Sequence, residues 1–310
     1  MDLLTSDSTL KLIAQGDRKA LARAITIVEN DLQGSRELLS KLKINTSIPV
    51  IGVTGPPGAG KSTLINGMLA ELSARNKKIA IVAVDPTSPF NYGSLLGDRL
   101  RMSEHFTDPN IFIRSVATRG SLGGLSEKII ELIDVLRSSD FDLIIVETVG
   151  VGQSEVEIAG LADTTVVVVV PESGDEIQTL KSGIMEIADI FVVNKCDREG
   201  ADALANSLEK MLHDFRKTSW TIPVIKVSAT QKSGIGELLN KIEEHTQSDN
   251  LKEKKILLLC EKAYHLIQQA RMKDVGKREL LEAIKLAVSK ANFNLYLFVD
   301  QYVTRKIGDS

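Results

Sequence analysis

The run Gly55-Pro56-Pro57-Gly58-Ala59-Gly60-Lys61-Ser62, followed by Thr63, carries the strongest chemical signal in the chain. It fits the pattern GxxxxGK[ST] in full and has the context that pattern needs. The apolar run Ile51-Gly52-Val53 reads as a strand before it, and Leu64, Met68, Leu69 and Leu72 recur at helical spacing after it. Glycines let successive backbone N–H groups turn inward around phosphate oxygens, at a helix N-terminus that already favours anions. Lys61 is placed to reach β- and γ-phosphates, and the Ser62 hydroxyl to ligate Mg²⁺. An ordinary turn between strand and helix requires neither a lysine nor a hydroxyl at those two places.

A second element would read the base. Asn194-Lys195-Cys196-Asp197 matches NKxD at the end of the apolar run Ile190–Asn194. The Asp197 carboxylate can accept from guanine N1–H and the 2-amino group together, whereas adenine lacks that donor pair and would leave the acid unsatisfied. The stem of Lys195 can lie along the base, and Asn194 can pin neighbouring loops. Four such residues alone are a weak signal, because all are common in turns. Here they follow a phosphate loop, at a strand's carboxyl end, where α/β sheets bind ligands. Val227-Ser228-Ala229-Thr230 ends the next strand and can offer backbone N–H to guanine O6. Together these elements predict GTP and GDP rather than ATP.

Three acids fall where magnesium and water chemistry belong: Asp85 after Ile79–Val84, Asp98 in Gly93–Arg99, and Glu147 after Leu143–Val146. Glu147-Thr148-Val149-Gly150 departs from the common DxxG by its glutamate and keeps the glycine, whose N–H can sense a γ-phosphate. The competing reading of each acid is a helix cap or a solvated loop residue, and it is weakest for Glu147.

These loops need a frame, and the periodicity supplies one. From Ile48 to about Thr246, seven short β-branched runs (Pro49–Val53, Ile79–Val84, Ile111–Val116, Leu143–Glu147, Thr165–Val170, Ile190–Asn194 and Val224–Val227) alternate with amphipathic helical patterns, which predicts a doubly wound α/β domain with a mainly parallel sheet. The five valines Val166–Val170 read as a strand buried on both faces, closed by Pro171. The expected division is a helical extension over 1–46, the nucleotide domain over 47–248 and a helical tail over 249–310. That tail has too little internal core to stand alone.

Composition narrows the functions. With 38 Lys+Arg against 41 Asp+Glu the net charge is −3, so no global basic field draws nucleic acid or an anionic membrane. Cys196 and Cys260 cannot form a disulfide framework, and four scattered histidines give no zinc cluster. No apolar stretch approaches the roughly 18 residues of a membrane span. Met1-Asp2 followed by Asp7 and Lys11 is unlike a secretory start, so a cytoplasmic location is expected.

Beyond the individual motifs, AVDPTSP (83–89), GDRLRM (97–102), TRGSLGGLS (118–126), VETVGVGQSE (146–155), NKCD and VSAT together resemble the MeaB/ArgK GTPases. These belong to the signal-recognition and MinD-like branch of P-loop GTPases. The resemblance implies a homodimeric chaperone of an adenosylcobalamin-dependent acyl-CoA mutase, chiefly of the methylmalonyl-CoA type, gating cofactor loading and protecting the mutase. It implies catalytic roles for Lys61, Asp98 and Glu147, and a magnesium shell of Ser62, Asp85, Asp98 and Glu147. It further implies a mobile loop at Thr118–Gly124 and a partner-sensing switch at Pro171–Lys181. Some members carry the name of transport-system kinases, which no acceptor site in these residues supports. A GTPase metallochaperone is the first alternative and a small-molecule kinase the second, but metallochaperones usually carry a His- or Cys-rich tract, and this chain has none. Val151 follows Gly150 where a water-orienting glutamine often stands, so slow intrinsic hydrolysis is expected, with Gln153 nearby. The apolar content of the tail, with Leu280, Ile284, Tyr296 and Phe298 among it, predicts a homodimer.

Overall fold

A computed structural model describes residues 6–85, 102–117, 128–148, 158–173, 184–214, 220–248, 250–272, 275–288 and 293–304. Seven strands form one sheet: β1 (Val50–Thr54), β2 (Ile79–Asp85), β3 (Ile111–Ala117), β4 (Leu143–Glu147), β5 (Thr164–Val169), β6 (Ile190–Asn194) and β7 (Val224–Val227). Their order is β3-β2-β4-β1-β5-β6-β7, and every pair is parallel. All seven carboxyl ends therefore open on one edge. The chemical motifs lie along that edge.

Alternation along the strands explains why they read as continuous apolar runs. Val166 and Val168 point into a core with α4 (Lys61–Ala74) and α8 (Ile235–Thr246). Val167 and Val169 point to the opposite face, against α6 (Ile184–Ile187) and α7 (Ala201–Asp214). Ile79 and Ile81 divide from Ala80 and Val82 in the same way. A strand covered on both faces has no polar side to show, which is the condition for β-branched residues without a period of two.

The first three helices, α1 (Ser6–Ala14), α2 (Arg18–Glu29) and α3 (Ser35–Ser40), have no core of their own. Ile13, Leu21, Ala24, Ile25, Val28 and Leu38 enter the same core as Val82, Ile144 and α5 (Ile129–Arg137). Asp17 starts α2 by accepting from the N–H groups of Lys19 and Ala20, both at 2.8 Å.

The amino edge of the sheet is fastened by buried charge. Arg137 meets Asp163 at 2.5 Å, and both side chains are under a tenth exposed. The pair is completed by the Val50 N–H to Asp163 at 2.8 Å and by Arg137 Nε to the Ile48 carbonyl at 3.1 Å. Such satisfaction is what makes a buried ion pair tolerable. Nearby, Asp189 accepts from the Thr165 N–H at 2.7 Å and faces Lys254 and His245. Burial works against its charge, and His245 and Lys254 outweigh that, holding the carboxyl below the usual range.

The chain divides into two compact units, residues 1–259 and 260–310, with α9 (Asn250–Arg271) continuing from one to the other. The second unit adds α10 (Lys277–Val288) and α11 (Leu295–Thr304). Phe298 is its buried centre, with ring centroids 6.0 Å from Phe293 and 5.2 Å from Tyr302. Among the described residues, no helix is long and apolar enough to cross a membrane.

Candidate functional site

The phosphate loop leaves β1 and ends as α4 begins at Lys61. Gly55 has φ 140°, and a Cβ there would stand 2.1 Å from the Val168 carbonyl oxygen. Gly60 has φ 85°, and a Cβ there would meet Asn194 Nδ2 at 2.5 Å. Only glycine satisfies both positions. Between them Pro57 and Gly58 are exposed, Pro56 is half-buried, and Ala59 is fully buried with its N–H on the Pro56 carbonyl at 3.2 Å. Leu64, Ile65, Met68 and Leu69 anchor α4 in the core, which keeps its first-turn N–H groups aimed at the loop.

Lys61 is buried, and its ammonium donates to the carbonyls of Gly55 at 2.8 Å and Pro56 at 3.1 Å. Its charge thus stays within the curl of the loop. Ser62 is buried beside it and donates to Glu147 Oε1 at 2.6 Å, while Thr63 is exposed. β1 and β4 are neighbours, with Val53 in register with Glu147, so the acid at the end of one strand reaches the hydroxyl after the other. The join is reinforced by Thr148, whose N–H donates to the Val53 carbonyl at 3.1 Å and whose hydroxyl donates to Thr54 Oγ1 at 2.9 Å. A serine hydroxyl and a carboxylate are hard oxygen donors of the kind Mg²⁺ takes. The pair fits the expected metal.

Asp85 ends β2 at the same edge, with Ala83 two residues earlier in register with Glu147. Its side chain, together with Asp98, Gly150, Thr118–Gly124 and the part of the Pro171–Lys181 segment from residue 174 onward, lies outside the described residues.

At the base-reading loop, Asn194 is buried and joins three segments. It donates from Nδ2 to the Ala59 carbonyl at 2.8 Å and accepts the Ala229 N–H on Oδ1 at 3.2 Å. Lys195 takes a left-handed φ of 55°, and the Cys196 N–H returns to the Val227 carbonyl at 3.1 Å. Asp197 is exposed and accepts from the Ser228 hydroxyl at 2.5 Å. That hydrogen bond holds its carboxyl below the usual range, so at neutral pH it is purely an acceptor, the form guanine's two donors require. Ser228 is buried and bridged to Ser233 by reciprocal 3.1 Å bonds, Ala229 is buried, and Thr230 is exposed.

The structure thus brings Gly55 to Thr63, Glu147, Asn194 to Asp197 and Ser228 to Thr230 to one edge. Two contributions escape a reading by motif. Ser228 acts through its hydroxyl on Asp197, in addition to any backbone donor its strand end presents. Thr54, the last residue of β1, and Thr148, the first after β4, bind each other through their hydroxyls, and no spacing in the sequence pairs them.

Comparison with known proteins agrees in both sequence and shape. Residues 21–280 match the family described as methylmalonyl Co-A mutase-associated GTPase MeaB. A Pyrococcus abyssi protein named as a GTPase is 44% identical, the match covering 97% of each chain. The Escherichia coli GTPase ArgK is 37% identical, covering 77% of this chain and 75% of that one. Among solved structures, one described as a LAO/AO transport system kinase is similar with a TM-score of 0.69 and 26% identity, covering 97% of each chain.

Proposed function

Because the chain belongs to the MeaB family of GTPases, we propose that it binds and slowly hydrolyses GTP, and that it serves as a chaperone of an adenosylcobalamin-dependent acyl-CoA mutase. The observation that carries the GTPase reading is the single hydrogen-bonded frame through Asn194, which joins the phosphate loop to the guanine-reading loops. The mutase reading is supported by the family description, and its finer points are proposals.

In this reading the first-turn N–H groups of α4 and those of the loop glycines Gly58 and Gly60 hold the phosphates. Lys61 adds a positive charge where charge develops on the transferred phosphoryl group. Ser62 and Glu147 would hold Mg²⁺, with Asp85 and Asp98 completing its shell. A metal held there would supply positive charge to offset that on the phosphate oxygens. Asp197 receives guanine N1–H and the 2-amino group, kept ionised by the Ser228 hydroxyl. Because Val151 replaces a water-orienting glutamine, the attacking water is poorly held and turnover is slow until a partner orders it.

The chaperone role is tested by GTP turnover with and without an adenosylcobalamin-dependent acyl-CoA mutase. Turnover should rise with the mutase. Lys181→Ala, in the segment that begins at Pro171, should blunt the rise and leave basal turnover within about twofold. If no such mutase changes turnover or nucleotide affinity, the chaperone role fails and the GTPase survives it.

The homodimer proposed through the tail is supported by what the second unit leaves uncovered. Leu286, Tyr296 and Leu297 are 70%, 81% and 64% exposed, and Leu281 and Val299 join them. A second copy would cover such a face by twofold symmetry. Light scattering at micromolar concentration should give twice the chain mass, and truncation near Leu251 should give a monomeric or insoluble product. A soluble full-length monomer would count against the dimer.

A further inference from the structure

The sheet order places a side chain at the one part of the nucleotide that neither motif addresses. This inference rests on the guanine-nucleotide reading above. The phosphate loop follows β1 and the base-reading loop follows β6, and β5 lies between them. The sugar that joins phosphates to base must therefore pass over the carboxyl end of β5. That end continues into a single turn of 3₁₀ helix, Pro171–Ser173, with Glu172 at its centre.

Glu172 is held there from the base-reading side. Its Oε1 accepts from the Arg198 guanidinium, an ion pair spanning 26 residues of sequence. Arg198 is itself set by the turn after NKCD, with its N–H on the Lys195 carbonyl at 2.9 Å. Gly200, with φ 87°, backs the turn, and a Cβ there would stand 3.8 Å from the Cβ of Pro171. The Arg198 hydrogen bond, with Lys195 adding a weaker pull, keeps the Glu172 carboxyl below the usual range. A carboxylate offers about four acceptor positions, and one guanidinium does not exhaust them. The side chain is 50% exposed, as suits the rim of a pocket where sugar hydroxyls face outward.

We propose that Glu172 accepts hydrogen bonds from the ribose hydroxyls of the bound guanine nucleotide, with Arg198 as its positioning residue, so that the protein selects ribonucleotides over deoxyribonucleotides. Acidic residues bind ribose hydroxyls in other doubly wound sheets by the same chemistry, although they reach the sugar from a different strand.

The test is calorimetric titration of the full chain with GDP, 2′-deoxy-GDP, 3′-deoxy-GDP and XDP. Wild type should bind GDP about tenfold more tightly than at least one deoxy form, as loss of one charge-assisted hydrogen bond predicts. Glu172→Ala should bring GDP and both deoxy forms within about twofold and leave the preference for GDP over XDP intact. Glu172→Gln should keep part of the ribose preference, since its amide oxygen still accepts, and Arg198→Ala should fall between wild type and Glu172→Ala. A wild-type protein indifferent to the sugar, or a Glu172→Ala variant that keeps the full preference, overturns the inference and leaves the GTPase reading standing. Absence of GDP binding by wild type overturns both.

Discussion

Lys61→Ala should abolish tight GTP binding. The lysine is buried and its ammonium lies 2.8 Å from the Gly55 carbonyl, within the curl that would close on phosphate. No other cation among the described residues is placed in that loop. A charged hydrogen bond contributes on the order of 1.5–3 kcal/mol, and a P-loop lysine reaches two phosphates. The loss should therefore be at least roughly a hundredfold in affinity. Because Lys61 also binds the loop's own carbonyls, thermal melting should accompany the titration, to separate lost affinity from a lost fold. A folded Lys61→Ala protein that binds GTP as wild type does would refute the phosphate-loop assignment.

Asp197→Asn should exchange guanine for xanthine. The Ser228 hydroxyl donates to Asp197 Oδ1 at 2.5 Å, and it fixes more than the carboxyl's charge. An asparagine in the same place can keep that bond only by turning its oxygen toward Ser228, which leaves its NH₂ toward the ligand. An amide donor faces guanine's own donors badly and xanthine's 2-oxo group well. GDP affinity should fall by about tenfold or more, and XDP affinity should rise by a similar factor. Paired titrations with GDP and XDP decide the matter, and wild-type GDP affinity in the variant would sink the guanine pocket. Ser228→Ala offers a finer reading, since it frees the amide to turn either way and should weaken the exchange.

The seven β-branched runs were legible because strands covered on both faces carry no polar residue to interrupt them. Their boundaries moved by a single residue at β1, β2, β3 and β5. The order of the strands was not legible. Nothing local in Thr164–Val169 says that it pairs with β1 on one side and β6 on the other. That order is what turns Glu172 from a turn residue into a candidate for the sugar. Partners distant in sequence stayed hidden for the same reason: Arg137 and Asp163 are separated by 26 positions, Ser62 and Glu147 by 85. Motifs specify residues that touch the ligand, since ligand geometry constrains their spacing. Groups that touch only each other, such as Thr54 and Thr148, answer to the fold and leave no spacing to read.

Asn194 donates to the phosphate loop through Ala59 and accepts from Ala229, so both ends of the nucleotide site hang from one side-chain amide. A loop exchange that brings another protein's base preference into this chain would also loosen the phosphate grip unless it carried the asparagine with it. Substitutions on either side of that amide should combine non-additively, as residues sharing a partner do. The two loops are coupled through that one residue. Drift in one is limited by what the other will tolerate, and base preference in this scaffold is therefore difficult to transplant even though it is easy to locate.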